Sequence, residues 1–272
     1  INAGGRVGQS DLGMKLLSTD DEFEAQALAR TLDDYNTQRR NIESTAIEEA
    51  ILQSKQYSNS TSLVLDSPSW HQGIIGIVAS RIKDQFHRPT FILSHTGGIA
   101  KGSGRSLPSI DMGTFIHQSL HQGIILNGGG HAMAAGFSIE IDNIPRLRDS
   151  FEEYCQARLG DIDLTPKITI DAALSIGAVN AGLIDNIDRL APFGMKNPQP
   201  KFLFPYVKIK SIRQLNNNGN PDIVHLGLDL AHDTSTTRLP AVAFRVQDTP
   251  LLEAFMSGRE GLFHIIGTLK RE

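Results

Sequence analysis

The stretch Asn127-Gly128-Gly129-Gly130-His131-Ala132-Met133-Ala134-Ala135-Gly136-Phe137 sets three consecutive glycines after the apolar run Ile124-Ile125-Leu126. A histidine and a row of small residues follow. Glycine has no Cβ, so this backbone can approach a ligand closely and turn several N–H groups toward one point. Such a concavity of amides binds anions, phosphate above all. A helical turn over residues 132–135 would add its positive end. The same composition also suits a tight turn in which glycine serves packing. Beyond it, Phe137-Ser138-Ile139-Glu140-Ile141 alternates apolar and polar residues and predicts a half-buried strand.

A second segment, Lys101-Gly102-Ser103-Gly104-Arg105-Ser106, holds two glycines, two hydroxyls and two cations. A guanidinium makes bidentate bonds to phosphate, and serine hydroxyls and glycine amides fill the remaining acceptors. Alone, it also reads as a solvated basic loop. Together the two segments read as opposite walls of one phosphate pocket.

Around them the chain alternates strands and helices, the pattern of an α/β domain. Thr19 and Glu22 have capping-box spacing. From about residue 20 to 53 there is no glycine or proline, and Phe23, Leu28, Leu32, Tyr35, Ile42, Ile47 and Ile51 recur at near-helical spacing. This predicts a helix roughly 50 Å long, which suits a rigid connector between domains. Arg39 interrupts its apolar seam and argues against a coiled coil. Strands are expected at residues 63–65 and 90–93, and helices at 74–86, 111–121 and 145–159. The segment Gly160-Asp161-Ile162-Asp163-Leu164-Thr165-Pro166 reads as a domain boundary.

Beyond it, residues 167–171 alternate as a strand, a short helix follows near 182–190, and residues 191–200 form a proline-rich structured loop. Residues 202–215 and 223–230 flank an Asn-Gly turn at 216–221, a hairpin signal. Further strands are expected at 239–246 and 262–269. Many strands in this order suggest a small barrel. Lys201, Lys208, Lys210 and Arg213 are interleaved with Phe202, Phe204 and Tyr206. Cations among aromatics suit single-stranded nucleic acid, while strand alternation by itself predicts core aromatics and solvated lysines.

The 272 residues suggest two domains. The net charge of −4 argues against a broadly basic DNA binder but leaves room for a local basic groove. No apolar run approaches the ~20 residues of a membrane span, and nothing at the amino end reads as a secretory signal. Cys155 is the single cysteine, so no internal disulfide forms and the cytoplasm is the expected compartment. The chain opens at Ile1 without methionine and reads as part of a longer polypeptide. It has no Asp-His-His run, no His-Glu-x-x-His and no Cys-x-x-Cys. A zinc site is therefore not expected within it. No Gly-x-Gly-x-x-Gly follows a strand, which disfavours a nicotinamide cofactor.

Three segments, Trp70-His71-Gln72-Gly73-Ile74-Ile75-Gly76-Ile77-Val78-Ala79-Ser80-Arg81, Lys101-Gly102-Ser103-Gly104-Arg105-Ser106 and the glycine stretch 128–136, resemble in order and spacing the DHHA1 domain of the DHH phosphoesterase superfamily. Within it they are similar to the bacterial single-strand-specific 5′→3′ DNA exonucleases, over nearly the whole chain. Ile1-Asn2-Ala3-Gly4-Gly5-Arg6 resembles the end of the family's catalytic DHH domain, with Gly4 in place of an alanine. Residues 193–200 resemble its Phe-Gly-x-Gly-Asn-Pro-Glu-Pro element, with Lys196 for the second glycine and Gln199 for the acid.

The resemblance implies the end of a DHH domain at 1–17, a connecting helix at 18–55, a DHHA1 domain at 56–160 and an OB-like nucleic-acid-binding domain at 161–272. It implies that the full protein hydrolyses single-stranded DNA from the 5′ end to mononucleotides in repair and recombination. Mn2+ or Mg2+ would be held by residues outside this chain, and this chain alone would be inactive. Arg6, Ser103, Arg105, Gly129, Gly130 and His131 are then the expected phosphate-binding residues. Lys201, Lys208, Lys210 and Arg213 are the expected single-strand contacts. His131 also reads as a packed core histidine, His71 as a neighbour of the cleft, and Lys101 as a solvated one. Expected partners are single-stranded DNA with a 5′ end, a single-strand-binding protein and a RecQ-type helicase. The alternatives are a DHHA1-type oligoribonuclease or nucleotide phosphatase, and a non-catalytic binding adaptor.

Overall fold

The structure, a computed structural model, describes residues 1–160, 167–215, 224–232, 236–247, 249–257 and 261–271. The chain divides into two compact units, Ile1–Pro166 and Lys167–Glu272.

The first unit opens with α1 (Gly4–Val7) and α2 (Leu12–Ser18), which pack on the long helix α3 (Glu22–Ser54). The carboxylate of Asp21 caps α3 by accepting from the N–H groups of Phe23 and Glu24. The expected Thr19–Glu22 box does not form; Thr19 instead donates to the Glu24 side chain. Phe23 is 87% exposed, so the apolar seam does not run the full length. Packing is concentrated in the last three turns, where Ile42, Ala46, Ile47, Ala50 and Ile51 join a core cluster. Arg39 is neutralised within the helix by Glu43.

After α3 come β1 (Leu63–Ser67), α4 (Ile75–Phe86), β2 (Thr90–Thr96), β3 (Ile99–Arg105), α5 (Met112–His121), β4 (Asn127–His131), β5 (Ala134–Glu140) and α6 (Ile144–Leu159). The sheet order is β1-β2-β3-β5-β4, with β1 and β2 parallel and the remaining pairs antiparallel. One face packs Leu63, Leu65 and Ile92 against α3 and α4. The other packs Val64, Phe91, Leu93, Phe137 and Ile139 against α5 and α6. Phe91 stands at the centre, with ring centroids of Phe151, Phe137 and Phe115 at 4.5, 5.1 and 5.9 Å.

Both glycine-rich segments are strands rather than loops. Lys101–Arg105 lies within β3, and the Gly128-Gly129-Gly130 run forms β4, hairpinned to β5 in place of a helical turn at 132–135. Glycine weakens the local strand signal, and it is the neighbouring strands that supply the ladder.

Glu152 of α6 fastens the start of β1. Its carboxylate accepts from the backbone and hydroxyl groups of both Thr61 and Ser62 at 2.6–2.9 Å. Burial pushes this carboxyl up, but the hydrogen bonds from Ser62 and Thr61 outweigh it and hold the group below the ordinary value. A depressed carboxylate contributes stability above its unfolded pKa and loses it as pH falls through the folded value. Glu152→Gln is therefore expected to flatten the acid limb of the stability–pH curve below about pH 4.5, measured by urea denaturation across pH. An unchanged acid limb refutes the assignment.

The second unit contains β6 (Ala172–Ala173), α7 (Ala181–Asp188), β7 (Phe202–Leu215), β8 (His225–Ala231), β9 (Leu239–Ala243), α8 (Pro250–Ser257) and β10 (Phe263–Gly267). The path is β10-β7-β8-β9, with β6 added beside β7. The long strand β7 bends: its first half pairs with β10 and its second with β8, with Tyr206 at φ 54° near the end of the first half. That bend curls the sheet around a core of Phe202, Phe204, Val207, Ile209, Leu226, Leu228 and Leu230. The fold is thus an α/β unit followed by a β-rich unit built on a curled sheet.

One expectation here needs correction, and one element was missed. Residues 167–170 are not a strand despite their alternation; pairing is limited to Ala172 and Ala173 with Phe202 and Leu203. The helix α8 was not foreseen, because its short apolar run reads equally as strand. The Asn-Gly turn at 216–221 and the boundary residues 161–166 lie outside the described residues.

In the proline-rich loop, Gly194 and Asn197 form an isolated bridge and Lys196 sits at φ 65°. The left-handed region costs a residue with a Cβ about 1 kcal/mol or more, which accounts for the glycine expected there. Lys196→Gly is predicted to raise stability by about 1 kcal/mol. Thermal melting checks this, and a destabilised variant would refute it.

Candidate functional site

On the α3/α4 face of the first sheet, α4 packs over β2 and β3 and leaves β5 and β4 bare. Directly opposed residues on antiparallel strands point to the same side. The register therefore sets out three rows across β3, β5 and β4: Lys101–Ser138–Asn127, Ser103–Gly136–Gly129 and Arg105–Ala134–His131. The alternate residues turn the other way. A Cβ at Gly102 would lie 2.3 Å from the Phe137 ring, and one at Gly104 2.3 Å from the Phe91 ring. Those two glycines make room for core aromatics and are not cleft amides.

A cleft of about 640 Å3 opens between this face and the loop preceding α4. Arg6, His71, Gln72, Gly73, Gly76, Lys101, Ser103, Arg105, Asn127 and Ser138 are among its lining residues. The close approach of α1 depends on Gly73, where a Cβ would fall 1.9 Å from the carbonyl oxygen of Arg6. The Arg6 guanidinium donates to the Gly73 carbonyl at 3.2 Å. The first turn of α4, Ile75 and Gly76, also lines the cleft, and α4 has no side-chain cap. An uncapped helix start presents amides and a positive dipole end.

Arg105 is half-buried and donates to the Ser103 hydroxyl at 3.3 Å and the Gly104 carbonyl at 2.7 Å. Burial, and then the nearby charge of Arg6, push its pKa down from the ordinary arginine value. No carboxylate lines the cleft, and among the described residues no carboxylate forms an ion pair with Arg6, Lys101 or Arg105. Three unneutralised cations facing one cleft form a pocket for an anion.

Of the residues expected from sequence, Arg6, Ser103 and Arg105 come together here. Lys101 and His71 line the cleft too, and the His71 Nδ1 accepts the Gly73 N–H at 3.0 Å. Gly129, Gly130 and His131 do not line it. Gly129 extends the open face beyond it, whereas a Cβ at Gly130 would meet the Ala134 carbonyl at 2.4 Å. His131 is exposed, accepting the Met133 N–H at 3.3 Å, so it is not a core histidine. Sequence reasoning missed Gln72, Gly76, Asn127 and Ser138. The period-2 pattern from Ser138 to Gly136 could have found Ser138, given the strand assignment of β3.

The cleft does not suit a divalent metal. It offers one imidazole and no carboxylate, and among the described residues no group of three His, Cys, Asp or Glu side chains could hold one.

In the second unit, Phe202 and Phe204 are buried, so they are core rather than stacking groups. Tyr206 is 63% exposed and stacks edge-on against His264 at 4.7 Å. Lys201, Lys210 and Arg213 are exposed and Lys208 is half-buried. A second exposed aromatic, Phe244, pairs with His225 at 5.3 Å. The sequence reading overlooked it, though it extends the alternation of β9.

Residues 59–157 match the DHHA1 domain, and residues 170–272 match the RecJ OB domain. The chain is similar to the DHHA1 and OB region of RecJ proteins. It is 32% identical over 247 residues to the single-stranded-DNA-specific exonuclease RecJ of Bacillus subtilis, covering 90% of this chain and 30% of that protein. It is 34% identical over 257 residues to RecJ of Haemophilus influenzae, covering 90% and 43%. The crystal structure of RecJ in complex with Mn2+ from Thermus thermophilus superposes with a TM-score of 0.68 at 26% identity, over all of this chain and 40% of that one. The chain thus spans well under half the length of these RecJ relatives. No helix among the described residues is long and apolar enough to cross a membrane.

Proposed function

We propose that this chain is the substrate-gripping part of a RecJ-type single-stranded-DNA-specific 5′→3′ exonuclease. Its cleft seats the 5′-terminal phosphate on Arg105, Ser103 and Arg6. The OB-type unit follows the strand with Lys201, Lys208, Lys210, Arg213 and the exposed ring of Tyr206. The observation that carries this is the charge of the cleft: three cations and no carboxylate, in a chain whose net charge is −4. Phosphodiester hydrolysis to 5′-mononucleotides then requires Mn2+ or Mg2+ bound elsewhere in the full protein, and this chain alone grips without turnover. Gly129 and His131, on the open face beside the cleft, are placed to meet the strand next to its terminus.

Fluorescence anisotropy tests the proposal. A labelled single-stranded oligonucleotide with a 5′-phosphate is expected to bind about tenfold more tightly than its 5′-hydroxyl counterpart, in chelator. Equal, strongly salt-dependent binding of both ends would place the grip on the second unit and remove the terminal-phosphate role from the cleft.

A further inference from the structure

We infer that His117 and His121 form a chelating site for a divalent ion of the Cu2+, Ni2+ and Zn2+ class on the outer side of α5. The inference is independent of the phosphate role proposed above: neither histidine lines the cleft, and α5 packs on the opposite face of the sheet.

The sequence of α5 decides which way each side chain turns. Met112, Phe115, Ile116 and Ser119 are its buried residues. His117 and His121, four residues apart, stand one turn above the other on the exposed side. The last turn, which carries His121, is firmly closed. Gly123 sits at φ 63°, its N–H donates to the Leu120 carbonyl at 3.1 Å, and the Ile124 N–H donates to the Ser119 carbonyl at 2.9 Å. This is the left-handed glycine cap of a helix end, and Ile124 is buried behind it. The rings already stand side by side, with centroids 4.7 Å apart and planes inclined at 62°. Two imidazoles that share one tetrahedral ion at about 2.0–2.1 Å per nitrogen have centroids roughly 5 Å apart. The observed spacing is close to that arrangement.

Neither ring is committed elsewhere. Among the described residues neither takes part in a hydrogen bond or an ion pair. α5 carries no lysine or arginine, and Arg146, which reaches its end, is engaged at the Gln122 carbonyl at 3.3 Å. The negative end of the helix dipole lies here and favours a cation. Imidazole nitrogen suits Cu2+, Ni2+ and Zn2+, with affinity rising from Mn2+ through Ni2+ to Cu2+, whereas Mg2+ and Mn2+ prefer oxygen. The site is therefore not one for the ions of phosphodiester hydrolysis. Its His-x-x-x-His spacing is that of a zinc-protease helix without the glutamate base. Among the described residues no third side chain completes it. The remaining positions are left to water, so the ion is exchangeable and the site binds without hydrolysing.

Isothermal titration of the untagged chain with NiCl2 and with MnCl2 tests the site. Ni2+ is expected to bind saturably and at least about tenfold more tightly than Mn2+. His117→Ala and His121→Ala are each expected to weaken Ni2+ binding by at least about tenfold, since even an outer-shell partner contributes 10–100-fold. The double variant His121→Ala/Gln122→His keeps the number of histidines but breaks the spacing, and should lose as much as His121→Ala. Saturating Ni2+ should also raise the melting temperature of the parent chain and leave that of the variants unchanged. If the variants bind Ni2+ as tightly as the parent, the ion sits on other histidines and the site is wrong. If the parent does not bind Ni2+, or binds Mn2+ equally well, the chelate falls. The anion role of the cleft is untouched by either result.

Discussion

Arg105→Ala is expected to weaken binding of a 5′-phosphorylated single strand by roughly 100-fold, the loss of about two charge-assisted hydrogen bonds. The side chain is preorganised for this task. It is half-buried beneath the first turn of α4, where a Cβ on Gly76 would come within 3.1 Å of its Nη2, and its Nη1 is tied to Ser103 and Gly104. Burial and the charge of Arg6 both work against its ionised form. The opposite charge of an arriving phosphate compensates both. Arg105→Lys keeps the charge but loses the planar fork, and recovers only part of the affinity. Anisotropy with 5′-phosphate and 5′-hydroxyl oligonucleotides reads both effects. A change under threefold in Arg105→Ala would remove the residue from the site. Its thermal stability should change little, since it contributes no carboxylate pair among the described residues.

Gly104→Ala is expected to destabilise the first unit by about 3 kcal/mol, at the upper end of overpacking costs. The new methyl would stand 2.3 Å from Phe91 Cε1, 2.6 Å from its Cδ1 and 2.7 Å from Met112 Sδ. None of these atoms is the end of a free side chain: Phe91 is fully buried among Phe115, Phe137 and Phe151. Gly129→Ala, two strands away on the open face, meets no atom and is expected to cost under about 1 kcal/mol, the ordinary price of a surface change. Denaturant titration of the two variants side by side tests the contrast. Equal stabilities would mean that the face assignment of the β3 glycines is wrong.

Much of the candidate site was legible because its chemistry is carried by residue type. A guanidinium and a serine two residues apart at 103 and 105 suggest an anion site before any fold is known, whereas Arg6 entered only through the family resemblance. The rest was not, because it depends on which way a backbone faces. Residues 101–106 and 128–136 contain six glycines that look alike in sequence as phosphate-approach positions, namely 102, 104, 128, 129, 130 and 136. In the sheet, 102 and 104 accommodate Phe137 and Phe91, 128 approaches Phe137 and Ile116, and 130 abuts the Ala134–Ala135 backbone. Only 129 is open, and Gly136 joins it.

Local sequence alone sets helices α3 to α7, the strands with a strong apolar alternation, and the cations without acids around residue 105. These are properties of near neighbours and of side-chain chemistry. Tertiary structure decided that two glycine-rich segments become adjacent strands, and that residues 167–170 do not become a strand although they alternate. A strand exists only where another chain segment supplies its hydrogen bonds. It likewise decided that Ser138 and Asn127 face the same cleft as Lys101, because strand register, a long-range property, fixes every face at once.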